Sequence, residues 1–126
     1  MEGMALNKVY ITQDAVGRNF LPAKQWGEPV LIMPSNAQVI LTATPTVRKM
    51  KQVLAKFCDD DYLLLSGDPL IMGVALTIAC SVNMGKAKLL KWDKNTKVYY
   101  DVKLNLHEKE ETYDREKYKE GDKGRS

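Results

Sequence analysis

The turn Ser66-Gly67-Asp68-Pro69 holds the groups in this chain best placed to do chemistry. It follows a short apolar stretch and opens a long uncharged one. A helix N-terminus offers free N–H groups and a partial positive charge, which suits an anion. Ser66 and Gly67 let a ligand approach closely. Asp68 and Pro69 oppose a bare phosphate, since one brings a negative charge to the anion's place and the other removes a donor. Asp68 capping its own helix is the competing reading, and the stronger one. There is no G-x-G-x-x-G and no P-loop lysine. In open α/β sheets ligands sit beyond the carboxyl ends of the strands. Three such ends carry polar groups: Thr42, Thr44 and Thr46; Ser66 and Asp68; Trp92 and Asp93. A nucleotide site built across them would use Thr42, Thr44, Ser66, Gly67, Asp68 and Asp93, with Asp68 meeting a ribose or a metal-bridged phosphate.

Other chemistries find little support. His107 is the single histidine, which leaves no His-based triad or His-rich metal site. Cys58 and Cys80 form no C-x-x-C pair and read as reduced thiols in or near a core. Asp59, Asp60 and Asp61 are adjacent and cannot all face one ion, so they read as a solvated turn. No catalytic residue, metal or cofactor is expected, and the balance is against an enzyme.

Charge points to a binding surface instead. The chain has 126 residues and a formal net charge of +3. Residues 107–126 hold six basic and seven acidic side chains, so the remainder is more basic than the total. Arg48, Lys49, Lys51, Gln52 and Lys56 form a helix face without an acid. The long connection Asp14 to Pro29 carries Arg18, Phe20, Lys24 and Trp26, and long loops are often functional. Arg18, Phe20, Trp26, Arg48, Lys49 and Lys51 are the candidates for contact with a macromolecule, through charge and aromatic anchors. A second basic surface combines Lys86, Lys88, Lys97 and Lys103 with Tyr99. A solvated helix face and an edge strand guarded by lysines are the plainer readings of both surfaces.

These residues need a frame. Lys8–Gln13, Val30–Met33, Gln38–Thr42 and Tyr62–Leu65 read as strands. Thr44 can cap a helix that Pro45 opens, with Val47, Met50, Val53, Leu54 and Phe57 on its apolar face. Asp68 and Pro69 start a second helix, and Gly85 ends it. Lys86 onward reads as a hairpin turning at Asp93-Lys94-Asn95-Thr96. Its returning strand sets Val98, Tyr100, Val102, Leu104 and Leu106 against Lys97, Tyr99, Asp101, Lys103 and Asn105, one row buried and one wet. The predicted fold is α/β: a mixed, mostly parallel sheet in the order β-β-β-α-β-α-β-β, with two main helices and a C-terminal hairpin. One domain is expected over 1–106, followed by a charged, disordered tail over 107–126. The uncharged run Pro69 to Gly85 is too short to span a membrane. It needs cover on more than one side, and a homo-oligomer through this helix would supply it. Met1 to Lys8 lacks the apolar core of a signal peptide.

Several segments give the chain a family likeness: Gly17-Arg18-Asn19-Phe20-Leu21-Pro22, Pro45-Thr46-Val47-Arg48, Asp60 to Pro69, and Leu89-Leu90-Lys91-Trp92-Asp93. On these it resembles a group of small uncharacterised proteins encoded by tailed phages of marine and aquatic bacteria. The likeness spans most of residues 8–106. It implies a viral protein made in the host bacterial cytoplasm, and it carries over no catalytic residues. The expectation is therefore a non-enzymatic phage protein that binds a host protein or nucleic acid in host takeover. A nucleotide-binding or nucleotide-modifying protein using the strand ends is the alternative. An oligomeric structural or virion-associated protein is the third.

Overall fold

The computed structural model describes residues 7–39 and 41–107. Beyond His107, the tail expected over 107–126 lies outside them. The strands are β1 (Lys8–Gln13), β2 (Glu28–Met33), β3 (Tyr62–Leu64), β4 (Lys86–Asp93) and β5 (Val98–Asn105), with helices α1 (Thr44–Val53) and α2 (Pro69–Val82). A short 3-10 helix, Leu21–Trp26, lies between β1 and β2. One five-stranded sheet has the order β2-β1-β3-β4-β5. The first four strands are parallel, and β5 returns antiparallel to β4. The mixed, mostly parallel α/β fold with two main helices and a C-terminal hairpin is thus what the chain adopts.

The order 2-1-3-4-5 belongs to doubly wound sheets. The chain leaves β1 in one direction and passes through the 3-10 helix to β2. It then turns back through α1 to β3 and continues through α2 to β4. Right-handed crossovers that run in opposite directions put their connections on opposite faces of the sheet. Accordingly, α1 and α2 cover one face, where Tyr10, Ile32, Met50, Leu54, Leu63, Ile71 and Ala75 form the main core. The 3-10 helix covers the other, where Val9, Ile11, Ala23, Leu64, Leu90 and Tyr99 cluster, with Phe20, Trp26 and Tyr62 packed on them.

The local causes are largely those the sequence implies, with exceptions that the structure explains. Asp68 caps α2 by accepting the Leu70 N–H at 2.8 Å, Pro69 opens the helix, and Gly85 (φ +82°) follows its end. Of Gln38–Thr42, expected as a strand, the described residues form none: Gln38, Val39, Leu41 and Thr42 carry the chain from β2 to α1, and Leu41 has φ +68°. An extended run becomes a strand only when an edge pairs with it. Thr44 does not cap α1. Ala43 occupies that position without a side-chain bond, and Thr42 Oγ1 accepts the Thr44 N–H instead, at 3.3 Å. α1 itself ends at Val53, short of Phe57. Asp61 is not part of a solvated turn. It is buried, accepting the N–H groups of Lys8 (2.9 Å) and Cys58 (3.1 Å), while Asp59 and Asp60 stay exposed.

In β5 the alternation holds but the burial is reversed near the turn. Tyr99 is buried against Trp92, ring centroids 4.9 Å apart, on the face of the 3-10 helix. Val98, Tyr100 and Val102 are exposed. α2 packs over β1 and β4, so Val98, Tyr100 and Val102 lie beyond the edge of the helical layer, while Leu104 still packs on the main core.

Candidate functional site

Parallel β1 and β3 are neighbours whose connections leave on opposite faces, so the crevice between their carboxyl ends is the sheet's topological switch point. β3 has only three residues, and Thr12 extends the pairing beyond it. Its hydroxyl donates to Ser66 O (2.6 Å) and accepts the Ser66 N–H (2.8 Å). Gln13 then fills the space between the strands. Its Oε1 accepts the Asp68 N–H at 2.7 Å, and its Nε2 donates to Pro34 O (3.0 Å) and Ala37 O (3.1 Å). Gly67 has φ +96°, and a Cβ there would stand 2.2 Å from Gln13 Oε1. Three chain segments are therefore tied to one buried amide.

Of the residues proposed for a nucleotide, the structure brings Ser66, Gly67 and Asp68 together. Arg18 joins them: its guanidinium lies over Phe20 (5.5 Å to the ring centroid) and reaches Ser66 Oγ at 3.5 Å. Thr42 and Thr44 bond each other at 3.0 Å ahead of α1. Asp93 sits in the β4–β5 turn, where the Asn95 N–H, the Thr96 hydroxyl and the Thr96 N–H hold its carboxyl below the ordinary carboxylate value. Among the described residues, no hydrogen bond links Thr42, Thr44 or Asp93 to the Ser66–Asp68 turn. Thr12 and Gln13 were not singled out by sequence. Their one signal is a polar pair that follows the apolar run Val9-Tyr10-Ile11.

The candidates for macromolecule contact divide. Phe20 and Trp26 pack on the second core cluster, and Trp26 meets Tyr62 edge-on at 5.3 Å. Arg48, Lys49, Lys51 and Gln52 are all exposed along α1, and Lys56 is exposed in the turn that follows it. The one ion pair among the described residues is Lys86–Asp59, 3.4 Å, so none of the α1 cations has an acidic partner there. Beside them lies a groove of about 480 Å³ between α1 and α2, floored by Val47, Leu70, Val74 and Ile78 with Lys51 on its rim. The outer stripe of α2 (Leu70, Gly73, Thr77, Ser81) is open to solvent, so the uncharged helix is covered on its sheet side and toward α1 but not outward. The hairpin surface is weaker: Tyr99 is buried, Lys86 pairs with Asp59, and Lys88 lies over Tyr62 at 4.3 Å.

Nucleophile chemistry finds no activated group at the cysteines. A backbone hydrogen bond at Asp60 lowers the Cys58 thiol. Desolvation, the Asp61 hydrogen bond and the charges of Asp61 and Asp60 outweigh it, so the thiol stands above its ordinary value. Burial likewise raises Cys80. Among the described residues, no three His, Cys, Asp or Glu side chains group as metal ligands, and no helix is long and apolar enough to cross a membrane.

Fold and site together define a small doubly wound α/β protein whose switch point is filled by its own glutamine and whose helical face is basic and open. The family model for phage Pam3 gp32-like proteins matches residues 7–106, and the chain belongs to that family. It is a phage protein. No curated protein and no solved structure matches it.

Proposed function

We propose that the chain is a non-enzymatic binding protein that docks a host macromolecule on the outer face of α1 and α2, in the cytoplasm of an aquatic bacterium infected by a tailed phage. The partner is a protein segment that is acidic and partly apolar. One observation carries this reading: an open apolar groove has Lys51 on its rim, and Lys51 shares its stretch of chain with the exposed cations Arg48, Lys49 and Lys56, none with an acidic partner among the described residues. Arg48 and Lys51 are like charges three residues apart on the helix, neighbours whose repulsion costs stability. A partner's carboxylates would offset that cost and speed encounter, while the groove supplies the apolar anchor site. The experiment is capture from host lysate with the full chain, followed by affinity measurement on the purified partner. Reversing Arg48, Lys49 and Lys51 to Glu should abolish capture and leave the fold intact. Equal affinity for the reversed variant removes the proposal.

A second reading rests on Arg18 beside Ser66 at the switch point. A guanidinium, a hydroxyl and a helix N-terminus suit a nucleotide phosphate at the mouth of the crevice. Such a ligand would sit above Gln13 or displace it. Nucleotides with and without magnesium should then raise the melting temperature by mass action, and no shift at millimolar ligand rejects this reading.

A further inference from the structure

We propose that a second copy of this chain pairs antiparallel with the free edge of β5 about a two-fold axis at Val102, joining two five-stranded sheets into one. β5 ends the sheet. Leu106 donates its N–H to Gly85 O at 2.8 Å, and the register continues without a bulge from Lys86↔Asn105 to Asp93↔Val98. Antiparallel bonding alternates along a strand. The backbone groups of Val98, Tyr100, Val102 and Leu104 therefore face β4, while those of Tyr99, Asp101, Lys103 and Asn105 point outward. An eight-residue edge with outward donors and acceptors is a template for another strand.

The side chains select both the partner and the register. On the helix side, β5 exposes an apolar row: Val98 45%, Tyr100 42%, Val102 38%, and Leu106 62% just beyond it. A two-fold at Val102 sets Val98 beside Leu106 of the second copy, Tyr100 beside its Leu104, and Val102 beside its Val102. On the opposite face the same axis sets Asp101 beside Lys103 of the second copy, twice. The exposed apolar row thus meets itself and Asp101 meets Lys103, while Tyr99 falls beside Asn105 and Lys97 beside His107 of the second copy. Other axes lose this match. An axis at Asp101 opposes two aspartates, and one at Lys103 opposes two lysines. One at Tyr100 opposes Lys97 with Lys103, and one at Leu104 shortens the pairing. Opposite charges across a strand pair stabilise it and like charges destabilise it, so the pattern excludes the neighbouring registers. The surface is independent of the α1–α2 groove.

Light scattering on the full chain, at high concentration and on dilution, should show a dimer. Asp101→Lys and Lys103→Asp should each weaken it by about tenfold, and the two combined should restore it, because the opposite charges meet again with their positions exchanged. Two Val102 residues would form a non-hydrogen-bonded pair with Cα atoms about 4.5 Å apart, within disulfide reach. Val102→Cys in a Cys58→Ser background should therefore cross-link the dimer on mild oxidation, whereas Val98→Cys should not. A monomer at every concentration, with no Val102→Cys cross-link, overturns the proposal. So does a dimer that ignores both reversals, or one that the combined exchange fails to restore.

Discussion

Thr12 and Ser66 are joined by a single hydroxyl used twice. Thr12 Oγ1 gives its hydrogen to Ser66 O and takes the Ser66 N–H, at 2.6 and 2.8 Å, with both residues buried. β3 is too short to hold the turn by strand pairing alone. A side chain of β1 therefore completes the ladder at the point where the chain must leave the sheet for α2.

Thr12→Val keeps the shape and removes the hydroxyl. It leaves a buried N–H and a buried C=O without partners, which should cost about 2–4 kcal/mol. Thr12→Ser keeps both bonds and should cost only about 1 kcal/mol for the lost methyl. Ser66→Ala should cost less than Thr12→Val, because Ser66 uses its backbone in both bonds. Urea midpoints at constant slope give the three values. A Thr12→Val variant as stable as Thr12→Ser would show that the hydroxyl adds nothing.

Gly67 and Gln13 should prove energetically coupled. Gly67→Ala adds a Cβ at φ +96° and drives it into the Gln13 amide. Left-handed strain accounts for roughly 1–2 kcal/mol of the expected loss, and displacement of the amide adds more. Gln13→Gly removes the whole side chain, including the Cβ that would itself stand 2.5 Å away, so the second mutation should then cost at least about 1 kcal/mol less than in the native protein. Additive losses in the cycle would mean that backbone strain alone explains the glycine.

Much of this frame is legible in the sequence, and the exceptions share a cause. β1, β3 and the hairpin show apolar runs or alternation, and α2 announces itself by Asp68, Pro69 and Gly85. The basic face of α1 follows from helical spacing alone. Gln38–Thr42 has strand-like residues, but no strand edge takes it up, and pairing decides that from elsewhere in the chain. The 3-10 helix is too short to show a period. Gln13 reaches partners 21, 24 and 55 residues away, and Arg18 reaches Ser66 48 residues away. Contacts of that range leave no local signature, so the filled crevice appears only once the strands are assembled.

Asp59 should shape acid stability. Its carboxylate accepts hydrogen bonds from Asn83 (2.9 Å) and Lys86 (3.4 Å). These bonds and the Lys86 charge hold its pKa below the ordinary 3.8. A folded-state pKa below the unfolded one means that the contribution is fully present above the unfolded value and lost as pH falls through the folded one. The melting temperature of the native protein should therefore fall more steeply below about pH 4 than that of Asp59→Asn. The two should run parallel above pH 5, where the carboxylate stays ionised. Parallel curves throughout would show that the exposed pair contributes nothing to this dependence.

Thr44→Glu tests whether the basic face of α1 is kept at a cost to stability. α1 has no acidic residue in its first turn, although a carboxylate there would interact favourably with the helix dipole. Thr44 is exposed, and among the described residues its hydroxyl bonds only Thr42. Glu at this position also lies one turn before Arg48, the favourable orientation for an ion pair. The substitution should stabilise the protein by about 0.5–1.5 kcal/mol, read from the urea midpoint. The same charge, placed beside Arg48, should weaken an acidic partner, and raising the salt should shrink that difference, since screening weakens exposed charge contacts. Gain in stability with loss of binding is the pair of results expected of a surface kept basic for a partner. Gain in stability with unchanged binding would mean that the α1 cations are solvent-facing and serve no docking role.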